Sequence, residues 1–150
     1  MTLRAGLRRL AALVESPADL WLVCGMAAWA AVLPLLKRAV PLRTLARIMW
    51  SGRRRESEFD AEKIVALSRL LTRRPPRGLE RCYERSLLTY RFLSRCGVDP
   101  KLVTGVAKDG ASTVGHAWVT VGGVPMGESE AVDDFVPLIV YGRGGLAEQP

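Results

Sequence analysis

Cysteine is scarce in this chain and histidine scarcer: the 150 residues hold Cys24, Cys82 and Cys96 and a single histidine, His116. An odd cysteine count without any Cys-x-x-Cys pair excludes a closed disulfide framework and the short ligand spacings of structural zinc. On one helix Cys82 and Cys96 would stand about 21 Å apart, beyond the ~7 Å span of a disulfide. A metal site would have to gather all three thiols and His116 from distant positions, so none is expected, and no cofactor either. The thiols read as reduced, which suits a cytoplasmic protein. Lysine is also rare, at positions 37, 63, 101 and 108, within a total of 22 Lys and Arg against 15 Asp and Glu and a net charge of +7. The arginines are scattered through apolar helical segments with no interleaved aromatics, which argues against nucleic acid. Acidic partners or anionic lipid headgroups remain compatible with that charge. With 49% hydrophobic residues the chain is no disordered tail and suffices for one domain with a core and a helical extension.

Helical patterns fill the first half. Leu3, Leu7, Leu10 and Leu13 or Val14, separated by Arg4, Arg8 and Arg9, describe a basic amphipathic helix. Ser16-Pro17-Ala18-Asp19 follows as a capping box with proline in the first turn, opening a second helix. Its body, Leu20 to Leu36, is apolar for 17 residues, about 26 Å of helix against a bilayer core of about 30 Å. Gly25 and Pro34 weaken it as a membrane span, and Glu15 and Asp19 oppose a signal peptide, although Ala28-Trp29-Ala30 resembles a cleavage site. The reading favoured is a helix buried against its neighbours or docked on a partner. Attachment to a membrane through residues 1–40 stays as the alternative. Val40-Pro41-Leu42 opens a third helix, with proline in its first turn, that stops at Ser51-Gly52, and Arg53 to Ser57 is a charged connection. Ser57 or Asp60 caps a fourth helix, with Ile64, Leu67, Leu70 and Leu71 on one side. Pro75-Pro76 breaks the chain there, dividing an N-terminal helical region, 1–76, from a second region, 77–142, and a loose tail, 143–150.

The second region carries the chemistry. Cys82 stands at the start of a helix running to about Arg95 and closed by Gly97, where unpaired N–H groups and the dipole should lower a thiol's pKa. Lys101 to Val106 reads as a strand and Lys108 to Val114 as a loop tip. His116 opens a strand, 116–121, that ends at Gly122-Gly123, a tight-hairpin signal. The return through Val124-Pro125-Met126 brings Glu128 back towards the level of His116. A thiol on a helix N-terminus, an imidazole on a strand and a carboxylate after the turn compose a nucleophile, its base and the group that orients the base: Cys82, His116 and Glu128. Ser129 to Asp134 is acidic, and Phe135 to Tyr141 is a last strand, with Pro137 pointing to a sheet edge.

Cys82-x-x-Arg85-Ser86-Leu87, then Gly97, Val98, Leu102, Val103, Gly105, Val106, Lys108 and Asp109, then Gly115-His116-Ala117-Trp118-Val119, resembles the lasso-peptide leader peptidases, which are transglutaminase-like cysteine proteases. The resemblance spans residues 82–128. It implies an α+β fold with a transglutaminase- or papain-like core, in which the nucleophile helix packs on a small antiparallel sheet behind a helical N-terminal region. It implies that Cys82 attacks the bond joining leader to core in a ribosomally made precursor and that His116 acts as base and then acid. It further implies a separate leader-recognition protein as partner and a cyclase acting on the freed core. The family carries Asp as third member where this chain has Glu128, so Asp133 or Asp134 are alternatives for that role. Trp118 would wall the substrate cleft or join the core. Arg85 would bind acidic groups of the precursor or sit on a solvated helix face, and Lys108 would line the cleft from the loop. An acyl transferase using the same thioester, or a non-catalytic scaffold, are the competing readings.

Overall fold

The computed structural model describes residues 13–52, 60–72, 80–128 and 132–148, with the side chains of Glu80 and Arg81 left aside. Most of the basic amphipathic segment, the 53–57 connection, the double-proline break and the start of the acidic stretch lie outside the described residues. Among the described residues, helices α1 (Pro17–Ala39), α2 (Leu42–Met49), α3 (Ala61–Leu71) and α4 (Glu80–Arg95) precede a sheet of β1 (Pro100–Asp109), β2 (Ser112–Val121), β3 (Val124–Pro125), β4 (Val136–Tyr141) and β5 (Ala147–Glu148). The sheet is antiparallel throughout, in the order β3-β2-β1-β4-β5, and the fold is α+β.

The start of α1 shows how local chemistry fixes an element and then ties it to another. Ser16 Oγ accepts from the Asp19 N–H at 3.1 Å, while the Asp19 carboxylate accepts from the N–H groups of Glu15 and Ser16 at 3.0 Å each. Pro17 takes the first helical position, where its missing donor costs nothing. Lys63 on α3 donates to the same carboxylate at 3.0 Å. That bond, followed by the Glu15 backbone, holds the Asp19 carboxyl down at about 2, against a usual 3.8. A depressed carboxyl stabilises the fold above its unfolded pKa and ceases to do so as pH falls through the folded value. Urea unfolding of wild type should therefore weaken more steeply between pH 4 and pH 2 than that of Asp19→Asn; parallel curves would show that Asp19 carries no linkage.

Helix α1 runs through Pro34 to Ala39, and it is the one described helix long and apolar enough to cross a bilayer. One stripe of it, Leu22, Met26 and Leu33, is buried, while Leu20, Trp21, Val32 and Leu35 face outward. The inner stripe joins Leu45 and Met49 of α2, Ile64 and Leu67 of α3, and Leu87, Leu88, Phe92 and Leu93 of α4 in one core. That core continues into the sheet through Leu102, Val119 and Tyr141. The residue next to each of these on its strand points the other way, and Val103, Trp118 and Val140 form a second, smaller cluster under Val132 and Phe135. Helix α4 thus lies on one sheet face while a thin apolar layer seals the other.

Three local expectations are corrected. Pro41 is the N-cap of α2, outside its first turn. The segment 108–114 is no loop tip: β1 and β2 pair out to Asp109 and Ser112, leaving a two-residue turn with Gly110 at φ 58°. Residues 143–148 form a short 3-10 turn and then β5 on β4; Gly145, at φ 64°, lies so close to the Ala46 and Arg47 backbone that a Cβ would fall 2.5 Å from it.

Candidate active site

The first turns of α4 are stitched to one residue of β2. Ser86 Oγ donates to the Ala117 carbonyl at 2.7 Å, and the Cys82 sulfur, one turn earlier on the same side of the helix, is hydrogen-bonded to the Ala117 backbone. Ala117 is the residue after His116, so the thiol and the imidazole flank a single peptide unit.

The imidazole belongs to the other sheet face. His116 pairs with Gly105 across β1 and β2, and its ring lies 5.9 Å from Trp118, nearly parallel, and 5.0 Å from Phe135. Only glycine fits opposite it: a Cβ on Gly105 would stand 2.6 Å from the Val136 carbonyl oxygen and 2.9 Å from the Trp118 ring. Trp118 is buried, so it packs the ring of His116 from within the second apolar cluster.

Past the Gly122-Gly123 turn, Glu128 Oε2 lies 3.0 Å from His116 Nε2, and both side chains are 6% exposed. A buried carboxylate accepts from Nε2–H, which leaves the Nδ1 lone pair as the ring's acceptor. Arg85, expected at the substrate, donates through Nη2 to both oxygens of Glu128, at 2.9 and 2.8 Å. His116 is thus held on Glu128, and Glu128 on Arg85, one turn after Cys82 on α4, while Cys82 meets the strand through the Ala117 backbone.

Sequence reasoning missed what carries Glu128. Gly127, at φ 66°, sits against α3 so closely that a Cβ would lie 2.0 Å from Val65 Cγ1. Arg69 on the same helix donates to the Gly127 carbonyl. The only signal in the sequence was the glycine before the acid. Asp133 and Asp134 are exposed on the 3-10 turn 132–134, whereas the carboxylate on the ring is that of Glu128. Lys108 is exposed near the end of the β1–β2 hairpin, three register pairs beyond Gly105 and His116. Among the described residues no group of three His, Cys, Asp or Glu converges as a metal site.

The expected depression of the Cys82 pKa is overturned. Burial pushes the thiol up; the Ala117 backbone and the Arg85 charge pull it down, and the Glu128 charge adds to the push. The helix-terminus argument omitted the desolvation that packing against the sheet imposes. The rate of iodoacetamide labelling at Cys82 should accordingly rise along a pH curve whose midpoint lies above that of an ordinary cysteine. Arg85→Gln should move the midpoint higher and Glu128→Gln lower. A midpoint below neutrality would refute the account.

A family model described as the transglutaminase-like superfamily matches residues 21–140. The chain belongs to this superfamily. Transglutaminase-like domains are typically cysteine-protease-like enzymes, so the activity is of the cysteine protease or acyl-transfer type. Comparisons with curated proteins and with solved structures return no match. The matched span reaches back into α1, so the transglutaminase-like domain includes helices that precede Cys82.

Proposed function

We propose that this transglutaminase-like chain is a cysteine endopeptidase that removes the leader from a ribosomally made lasso-peptide precursor. It works with a separate leader-recognition protein, and a cyclase takes the freed core. The bond between Glu128 and His116 Nε2, next to the turn that holds Cys82, is the observation that supports the catalytic half. The motif resemblance supports the substrate half.

His116, with its Nε2 proton engaged by Glu128, accepts the Cys82 proton as the sulfur attacks the scissile carbonyl. Because burial pushes the thiol up, the sulfur depends on His116 to take its proton. The imidazolium formed is stabilised by Glu128, whose charge Arg85 holds in place. It then protonates the leaving amine as the C–N bond breaks. Water, activated by the same ring, hydrolyses the thioester and returns the thiol.

An acyl transferase shares every step up to the thioester and differs only in what captures it. Mass spectrometry of the cognate precursor incubated with the enzyme and its recognition partner separates the two. Free leader and free core, with one water added across the bond, are expected; a new amide linking the acyl part to an added amine would favour transfer. Intact precursor under all conditions would remove both.

A further inference from the structure

Helix α1 lacks a polar side. Between Asp19 and Lys37 it carries no charged residue, and Lys37 itself is turned to Glu84 of α4 at 2.7 Å. A surface helix ordinarily divides into a buried apolar stripe and a charged face. Here the stripe of Leu22, Met26 and Leu33 is backed by an outer arc that is apolar as well. Trp21 and Leu35 are 80% and 66% exposed, and the smaller Cys24, Ala28 and Ala31 are exposed between them. A contiguous apolar patch of this kind marks a surface that another body covers.

The order of side chains along the arc points to what covers it. Trp21, Cys24, Ala28, Ala31, Leu35 and Arg38 follow one another at alternating steps of three and four, the spacing that keeps one helix facing another over several turns. Bulk stands at the ends and small side chains in the middle, so two such helices meet closely at their centres. Set antiparallel about a two-fold axis at the level of residues 29 and 30, the row is complementary to itself. Ala28 faces Ala31 of the second copy, Cys24 faces Leu35, and Trp21 faces Arg38. Each contact then occurs twice, as a two-fold interface requires. The outermost pair lays a guanidinium on an indole, a favourable charge-to-ring contact. A parallel pair would set Arg38 on Arg38 and align the two helix dipoles. A bilayer surface gains nothing from the small centre and offers Arg38 no ring. Burying the arc on both copies removes on the order of 1,000 Å² from water, near the lower bound of specific interfaces.

We propose that the chain forms an antiparallel two-fold dimer through the outer arc of α1, with Trp21 of each copy against Arg38 of the other. The dimer stands independently of the peptidase reading. Its arc faces away from the core that α1 shares with α4 and the sheet, so the Cys82 site of each copy stays outside the interface.

Sedimentation equilibrium on the full chain should show a reversible dimer forming between about 1 and 100 μM, as suits an interface of this size. Ala28→Glu, which sets a charge against Ala31 of the other copy, should be monomeric throughout that range. Circular dichroism and iodoacetamide labelling of Cys82 should match wild type in this variant. Should it fail to fold, Arg38→Glu, at an exposed position, should weaken the dimer about fivefold or more. Leu35→Cys traps the register itself. Residues 24 and 35 of one helix stand about 16 Å apart, beyond the ~7 Å span of a disulfide, so a bond between them joins two copies. With oxidised glutathione as the oxidant, this variant should become a covalent dimer whose peptide map links Cys24 to residue 35, while wild type stays unlinked through Cys24. Cys24 bonded to Cys24 in wild type would mean a parallel pair and overturn the proposal. A dimer that survives Ala28→Glu unchanged would place the interface elsewhere and do the same. A chain that stays monomeric up to about 100 μM, and unlinked as Leu35→Cys, would also overturn it. That holds equally if such a monomer floats with vesicles of anionic phospholipid, since the bilayer would then be what covers the arc.

Discussion

Replacing Cys82 by alanine is expected to bring precursor cleavage down to the uncatalysed background, and adding His116→Ala to that variant should cost nothing more. With the sulfur gone no thioester can form, so the base has no proton to take and Glu128 has no imidazolium to stabilise. Residues acting as one unit lose nearly everything with the first deletion, so the two losses do not add. His116→Ala alone should lower turnover by about 10²–10⁴-fold, the usual contribution of a positioned acid–base group. The two variants should differ in stability. Cys82 is half-buried and alanine there removes one atom, whereas loss of the imidazole leaves a gap between Trp118 and Phe135. Thermal melts should therefore place Cys82→Ala near wild type and His116→Ala below it. Mature product appearing at the normal rate with Cys82→Ala would leave the chain as a scaffold, with its thiol and ring as relics.

How much of this arrangement the sequence disclosed depended on how local each cause was. Ser16, Pro17 and Asp19 act within four residues, and their box was readable. Gly122-Gly123 was readable as a turn for the same reason: both glycines take positive φ, 58° and 84°, which the right-handed twist of a hairpin demands. The β1–β2 hairpin was cut short because Lys108, Asp109, Ser112 and Thr113 are polar and its tip is solvated, so no alternation survives. The turn and strand after Gly142 were missed because the turn is held against Ala46 and Arg47 of α2, far away in the chain, and the strand on β4 is only two residues long. Arg85 and Glu128 are 43 residues apart, and nothing in either stretch announces the other. The thiol's pKa was misjudged through the same gap: a helix terminus is a local feature, and burial is not. Residue types at the centre were thus visible, while their supports were tertiary.

Gly127→Ala tests those supports directly, and its expected effect is large for a residue without a side chain. Two costs combine there. Alanine in the left-handed region is disfavoured by roughly 1–2 kcal/mol, and a methyl set 2.0 Å from Val65 Cγ1 overpacks the contact by about 1–3 kcal/mol. The chain relieves this by moving the 126–128 segment off α3, which also loosens the Arg69 bond to the Gly127 carbonyl. Glu128 then shifts relative to a ring that the Trp118 and Phe135 packing keeps still. A displacement of about 1 Å in such a constellation can cost on the order of a hundredfold in rate. Stability should fall by about 2–4 kcal/mol, and turnover by about as much as in Glu128→Ala. Val65→Ala in the same chain removes the clashing methyl and leaves the φ strain, so the double variant should regain part of the stability and most of the lost turnover. If Gly127→Ala keeps wild-type turnover, the carboxylate does not need α3 to stay on the imidazole, and Arg85 alone must hold it.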